Sequence, residues 1–523
     1  MGLGNYLKQR MQMWLGIKDV EVFGITDPSL KNKVLHLNDE NLEREQYENL
    51  AWYSGNGDVI RYFYQRLMNE RHYLSADIRP NFRDYYWYTN NEEGVKKTHS
   101  GLPRMIIDTI DNCVSYPTLI KPSGMENEAK AERAIEILDL NNFKSILSHQ
   151  IKLMAVLGDG AFFVNIVPRF DFPIIEYVPG TECDFVFEGS VCTAITRKRY
   201  YRKNGHVYQL LEERSTEKIE DEDGEKTCAV IKYNLFCLTG DNLKEVDLSA
   251  LDETKNLKSL RFNNISFMLA TPCIYNFDSQ TERGTSIFRG KIDLFDDFDQ
   301  AVSQEASIMR AMTPVEYIDV ASLEVDANTG QKMKPGVYGK QYIYYKTAES
   351  LAGIPEAPHS SFYDIDFSKI DTYAIEVMQR ALSGILSMAT IGLDVARNST
   401  DLAQREKEKI TSKTVARFAG IEGKIIAKLL NIVLACDELR QDADALYSKT
   451  DFTVDFPEYA NASFESRIES LLPLYQSGGI SEEMFVSELW GDSLSNEDKE
   501  KEVARLKEAK ASSSAVDFSS LGL

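Results

Sequence analysis

The sequence is poor in the residues that build most active sites. Its 6 histidines (His36, His72, His99, His149, His206 and His359) include no HxxxH or HExxH pair, so a zinc hydrolase is not indicated and each lone histidine reads as surface or core. Its 7 cysteines (113, 183, 192, 228, 237, 273 and 436) form no CxxC pair and no Cys/His cluster, which removes a zinc module and a disulfide framework. Scattered thiols in odd number suit a reducing compartment. No serine sits in a GxSxG elbow. The stretch from Gly284 to Lys291 resembles a phosphate-binding loop but fails as one. Five residues separate Gly284 from Gly290 where the nest needs four, and Ile292 stands where a magnesium-binding Ser or Thr is required, so a helix start near Gly284 is expected. Gly158-Asp159-Gly160 lacks the third glycine of a dinucleotide fingerprint. No apolar run of about 18 residues occurs, the first residues carry no signal-peptide core, and Tyr6 stands where a myristoylation motif wants Ser or Thr. A soluble, cytoplasmic chain without a membrane partner is expected. Basic residues are also short: 59 Lys and Arg against 81 Asp and Glu give −22, which argues against a protein that grips nucleic acid by neutralising phosphates.

What remains is globular. Hydrophobic residues make up 43% and charged residues 27% of 523, and 30 Gly with 15 Pro are too few for collagen-like sequence. Residues 42–74 read as two helices redirected by Ser54-Gly55-Asn56-Gly57, the second starting near Asp58. Residues 99–118 read as a buried helix with Leu102, Met105, Ile106, Ile110 and Val114 on one face and Pro103 in the first turn. A long helix from 127 to 157 is interrupted near Asn141-Asn142. From 161 to 238 the period becomes that of an antiparallel sheet, with Asn204-Gly205 as a hairpin turn and an acidic hairpin tip near 215–226. A strong helix is expected over 284–312, short strands over 314–366, and a further helix from Phe367 to about Met388. After a polar break, a helix from Asp401 to about Leu439 follows with Ile410, Phe418, Ile421, Ile425, Leu429 and Ile432 on one face. A helix of that size is roughly 50 Å long at 1.5 Å per residue. A short strand at 451–456, shorter helices over about 463–510 and a flexible tail complete the α+β reading. No internal repeat is visible.

Three features carry alternatives. Asp293, Asp296 and Asp297 lie close together on one helix and read as a solvated acidic face in preference to a divalent-ion site. The aromatic cluster Tyr85-Tyr86-Trp87-Tyr88, near Arg79 and Arg83, reads as core or subunit interface in preference to a base-stacking platform. Sequons at Asn264, Asn398 and Asn461 are accidents if the chain is never secreted.

The order of parts from 284 onward is a helix, a strand-rich insert, a helix, a short break, a very long helix and a helical terminus. That order resembles the portal proteins of tailed bacteriophages, in particular the family of long-tailed phages of Gram-positive hosts. "SGLPRMIIDTIDNCVSYP" resembles that family's early helix, "RNSTDLAQREKEKITSK" the start of its long helix, and the stretch from "FESRIESLLPLYQSGGIS" to "KEKEVARLKEA" its ending. The similarity of plan covers roughly residues 40–510. The resemblance implies a portal-like architecture: wing 1–283, stem helix 284–312, clip 313–366, second stem helix 367–387, tunnel loop 388–400, long wing helix and following strand 401–454, helical crown 455–510, and tail 511–523. It implies a homo-oligomeric ring, typically a dodecamer, at one capsid vertex of the virion. Double-stranded DNA would pass through its tunnel without sequence preference. Major capsid and scaffolding protein, terminase and a head-tail adaptor would be partners, with assembly in the host cytoplasm. Thr390, Gly392, Asp394, Arg397 and Asn398 would face the DNA, and no catalytic residue, cofactor or metal is implied. The acidic hairpin near 215–226 has no placed family equivalent. Competing readings are a capsid-associated scaffold or adaptor without a DNA path, and a nucleotide-dependent packaging enzyme, which needs the phosphate loop the sequence lacks.

Overall fold

The computed structural model describes residues 39–70, 85–88, 96–123, 128–204, 206–221, 224–239, 242–279, 281–311, 315–320, 341–345, 348–349, 355–356, 367–392, 401–442, 447–457, 471–475, 479–490 and 498–508, with 323, 325, 331–332, 459, 468 and 477 between them. Helices α1 (Asp39–Tyr53) and α2 (Gly57–Glu70) meet at the expected break, where Gly55 takes φ 69° and Asn56 caps α2 by accepting the Asp58 N–H at 2.9 Å. Helix α3 (Leu102–Val114) buries Leu102, Ile106, Ile107, Ile110 and Val114. Met105, expected on that face, is instead partly exposed, because one residue's rotation about the helix separates it from Ile106. Strand β1 (Leu119–Pro122) follows. Helices α4 (Glu128–Leu140) and α5 (Phe143–Leu157) are separated at Asn142, whose φ of 51° interrupts the longer helix read from the sequence.

The strands are β2 (Asp159–Asn165), β3 (Ile174–Pro179), β4 (Cys183–Glu188), β5 (Val191–Lys203), β6 (His206–Asp221), β7 (Gly224–Thr239), β8 (Asn242–Val246), β9 (Leu260–Phe262) and β10 (Ala270–Ile274). They form two sheets where the sequence suggested one. A three-stranded sheet has the order β10-β2-β3, and a six-stranded sheet runs β4-β5-β6-β7-β8 with β9 also on β7. The division falls where Pro179 and a single 3-10 turn at Gly180–Glu182 end β3. Asn204 turns the β5–β6 hairpin with φ 53°, pairing Lys203 with His206, and the β6–β7 pairing runs into the acidic tip as far as Asp221 opposite Gly224.

Arg214 on β6 joins the two sheets. Its buried guanidinium donates to the Val164 and Leu269 carbonyls, each at 2.7 Å, and to Asn165 Oδ1, while Glu212 accepts at 2.6 Å. The Phe163 ring lies 4.8 Å away as a cation–π partner. Two main-chain acceptors therefore depend on one cation, and the buried Glu212 shares its charge between Arg214 and Arg199, the latter 3.4 Å away.

Helix α6 (Ile292–Ala311) starts later than expected, since 284–286 are irregular and 287–291 form turns that include Gly290 at φ 72°. Met309, near its C-terminal end, is exposed. Strands β11 (Val315–Asp319) and β12 (Gln341–Tyr345) pair in parallel, and β13 (Ala348–Glu349) pairs antiparallel with β14 (Pro355–Glu356). Helix α7 (Phe367–Leu382) packs on α6. It stops before the expected Met388: Gly384 takes φ 77°, and Lys291 Nζ donates to the last carbonyls, Arg380 at 2.9 Å and Ser383 at 2.7 Å. Helix α8 (Asp401–Gln441) has 41 residues, about 60 Å at 1.5 Å each. Strand β15 (Phe452–Asp455) pairs with β1, and α9 (Glu482–Trp490) precedes helical residues 498–508.

Two compact units result, Met1–Ile385 with Arg417–Phe456, and Leu386–Ala416 with Pro457–Leu523. In the first, Phe162, Phe163, Met154, Phe418, Ile426, Leu429 and Val433 are buried, and Tyr275 stacks on Phe418 with ring centroids 4.6 Å apart. In the second, Phe485, Val486 and Leu489 form a core with Ile468, Leu471, Tyr475 and Leu506 against it. Ile410 of α8, expected on the buried face, is exposed. None of the seven cysteines is in a disulfide.

Arg214→Ala should lower unfolding stability by about 3–5 kcal/mol, because Glu212 and the strand carbonyls lose a buried donor. A denaturant midpoint equal to that of the unchanged protein contradicts this role for Arg214.

Candidate functional site

The residues that the sequence singles out lie between α7 and α8. Thr390 and Gly392 are described, whereas Asp394, Arg397 and Asn398 lie outside the described residues. Thr390 Oγ1 is 2.6 Å from Thr411 Oγ1 of α8 and 2.9 Å from Ser387 Oγ, and the Ser387 N–H donates to Thr411 Oγ1 at 2.9 Å. Thr411 is fully buried. Three hydroxyls thus knit the first part of the break to α8. Gly392 then closes a turn, donating its N–H to the Ala389 carbonyl at 3.0 Å with φ 78°, a conformation that favours glycine.

The two glycine motifs rejected as nucleotide signatures meet each other. Gly284 lies so close to Gly158 that a Cβ on Gly284 would stand 1.9 Å from the Gly158 carbonyl oxygen. Asp159, fully buried, sits beside this crossing. Its carboxylate accepts from Arg283 Nε (2.7 Å) and Nη2 (3.0 Å), from the Gly284 N–H (3.1 Å) and from Gln46 Nε2 of α1 (3.1 Å). Arg283 also donates to the Gly180 carbonyl at 2.8 Å. The carboxylate that a nucleotide motif would turn outward is spent on holding α1, β2 and the approach to α6 together.

The acidic face of α6 divides: Asp293 is exposed and Asp297 half-buried, as the solvated reading expects, whereas Asp296 departs from it and is buried together with Asp299. Asp296 accepts the Tyr86 N–H (2.7 Å) and Trp87 N–H (3.2 Å), while Asp299 accepts Trp87 Nε1 (2.9 Å) and the Ser100 N–H (2.8 Å) and lies 2.6 Å from His99 Nδ1. Both carboxylates are buried, and burial, reinforced by Asp299 and Asp297, pushes Asp296 up to about 7. Among the described residues no group of three or more His, Cys, Asp or Glu is arranged to hold a metal ion. Of the aromatic cluster, Trp87 is buried in the core, while Tyr85, Tyr86 and Tyr88 are half-buried and Tyr85 stacks on Tyr64 with centroids 5.2 Å apart. Arg79 and Arg83 lie outside the described residues. The basic run on β5 offers no open anion surface at its paired positions. Arg197 grips Glu176 through two bonds of 2.7 Å, Lys198 bonds Asp184 at 2.7 Å, and Arg199 lies 3.4 Å from Glu212.

One further acid was missed. Glu422, in the middle of α8 and fully buried, accepts from Gln150 Nε2 of α5 at 2.9 Å, and burial pushes it up to about 8. Its sequence signal was a charge on the apolar face of an otherwise regular helix.

Two solved structures to which the chain is similar are necks of GTA particles. One is the neck of a native GTA particle computed with C12 symmetry, at 10% identity and a TM-score of 0.35, covering 77% of this chain and 90% of that one. The other is the neck of an empty GTA particle computed with C6 symmetry, at 10% identity and a TM-score of 0.33, covering 78% and 90%. Neither a family model nor a curated protein matches. Likeness at these scores fixes neither fold nor role.

The raised Glu422 group has a defined pH signature. Below its ordinary value of 4.5 the carboxyl is protonated in folded and unfolded chains alike. Between 4.5 and about 8 the folded chain binds the extra proton, so stability falls as pH rises, and above about 8 the whole cost is present. Glu422→Gln should therefore leave stability near pH 4 unchanged and raise it at pH 9 by on the order of 4 kcal/mol. Denaturant midpoints against pH measure this, and parallel curves for the two proteins contradict it.

Proposed function

We propose that this chain is the subunit of a portal-like ring at one capsid vertex of a tailed-phage particle, a conduit for double-stranded DNA without a catalytic step. The observation that carries the reading is the order of elements from α6 onward. A packed helix pair, α6 with α7, brackets a small strand module containing the parallel β11–β12 pair. The returning helix then reaches the 41-residue α8 through a break whose start is fixed by Ser387, Thr390 and Thr411. In this reading the α6–α7 pair is the stem, the strand module is the clip, and residues 388–400 are the loop that meets DNA.

The charge supports sliding over gripping. A wall of net negative charge repels phosphate, and at the basic β5 positions the cations are already paired with carboxylates. A dozen copies around the ring, with terminase, head-tail adaptor, and major capsid and scaffolding protein as partners, follow from the portal reading. Asp394, Arg397 and Asn398 are its proposed DNA-facing residues, with Thr390 and Gly392 at the loop's base.

Deleting residues 391–398 leaves Thr390 on its Thr411 partner, so the helices stay anchored while the loop is removed. Ring assembly should persist and DNA packaging should fall to background in an in vivo packaging assay. Packaging at the unmodified level contradicts the loop's role, and nucleotide hydrolysis by the purified protein contradicts a non-catalytic conduit.

A further inference from the structure

Beside the Gly158–Gly284 crossing is a small, largely enclosed cavity lined by Glu45, Gln46, Asn49, Thr285, Ser286 and Arg289, among others. Gln46 and Asn49 are one turn apart on α1, and their amides meet different fates. Gln46 donates to Asp159, whereas neither Nδ2 nor Oδ1 of Asn49 has a hydrogen-bond partner among the described residues, although Asn49 is 1% exposed. Burying an amide without partners costs about 1–3 kcal/mol for each group left unsatisfied, so a stable fold supplies something to meet both atoms.

The space decides what that is. It leaves ≈ 10 Å³ for the centre of a water-sized sphere, the lower limit for holding one water and too little for any organic ligand. The chemistry of Asn49 narrows it further. Its NH2 group repels a bare cation and its carbonyl repels an anion, and Glu45 and Arg289 oppose each other on the same wall. A water molecule accepts from an amide N–H and donates to the carbonyl of the same amide in one cyclic arrangement. One O–H and one lone pair remain for the neighbouring hydroxyls.

We infer that this cavity is a structural water site in which a single molecule closes a ring with the Asn49 amide and bridges α1 to the Thr285–Ser286 segment leading into α6. The water completes the crossing. Asp159 clamps one side through Gln46, Arg283 and Gly284, and the water joins the same helix to the same segment one turn along.

The test is a map of the full-length protein in its assembled form, at a resolution that shows ordered waters, for the unchanged chain and for Asn49→Leu. The inference predicts one peak within hydrogen-bonding distance of both Asn49 amide atoms, and its loss in Asn49→Leu with the Asp159–Arg283 pair intact. It is overturned by a cavity without a peak in the unchanged chain, or by an Asn49 amide turned onto a protein partner. The map of the unchanged chain decides the matter even where Asn49→Leu fails to fold.

Discussion

Everything that leads into α6 depends on how one buried carboxylate is shared. Asp159 stands where α5 has just ended at Gly158, and it takes donors from α1, from Arg283 and from the Gly284 backbone. A buried ionised group survives only when paired and fully hydrogen-bonded, and here four donor contacts do both. The close approach of Gly158 and Gly284 is the steric side of the same constraint, since side chains at that crossing would collide with backbone that cannot yield. The segment that approaches α6 is therefore held by partners far away in sequence.

This explains which parts of the fold were legible. Burial along helices follows the 3.6-residue period, so α3, α6, α7 and α8 could be read from their apolar spacing, and Asn142, Asn204 and Gly55 marked turns by their tolerance of positive φ. Errors gathered where tertiary contacts override local pattern. Helix α6 was read from Gly284 because its apolar spacing extends back through Ile287, yet Gly284 is held at the crossing with Gly158. Helix α7 was carried past Leu382 because Ile385 keeps the period, while Lys291, remote in sequence, caps it at Ser383. Asp296 and Asp299 serve the backbone of Tyr86, Trp87 and Ser100 across about 200 residues, a relation that no local rule of charge patterning contains.

The same logic separates the motifs that failed from the roles their residues hold. Gly158-Asp159-Gly160 and Gly284 to Lys291 looked like pieces of nucleotide sites because close backbone approach needs glycine wherever it occurs. Here the approaching group is the chain's own backbone. The break after α7, polar in sequence, begins with ordered contacts: Ser387 and Thr390 are bonded to the buried Thr411.

The central claim is that many copies of this chain close into a ring around a channel. Electron microscopy of the purified full-length protein, with mass by light scattering on the same sample, tests it most directly. The account predicts closed rings of about a dozen subunits with a central hole wide enough for duplex DNA. Rods, closed shells or a compact dimer with no central hole would contradict it.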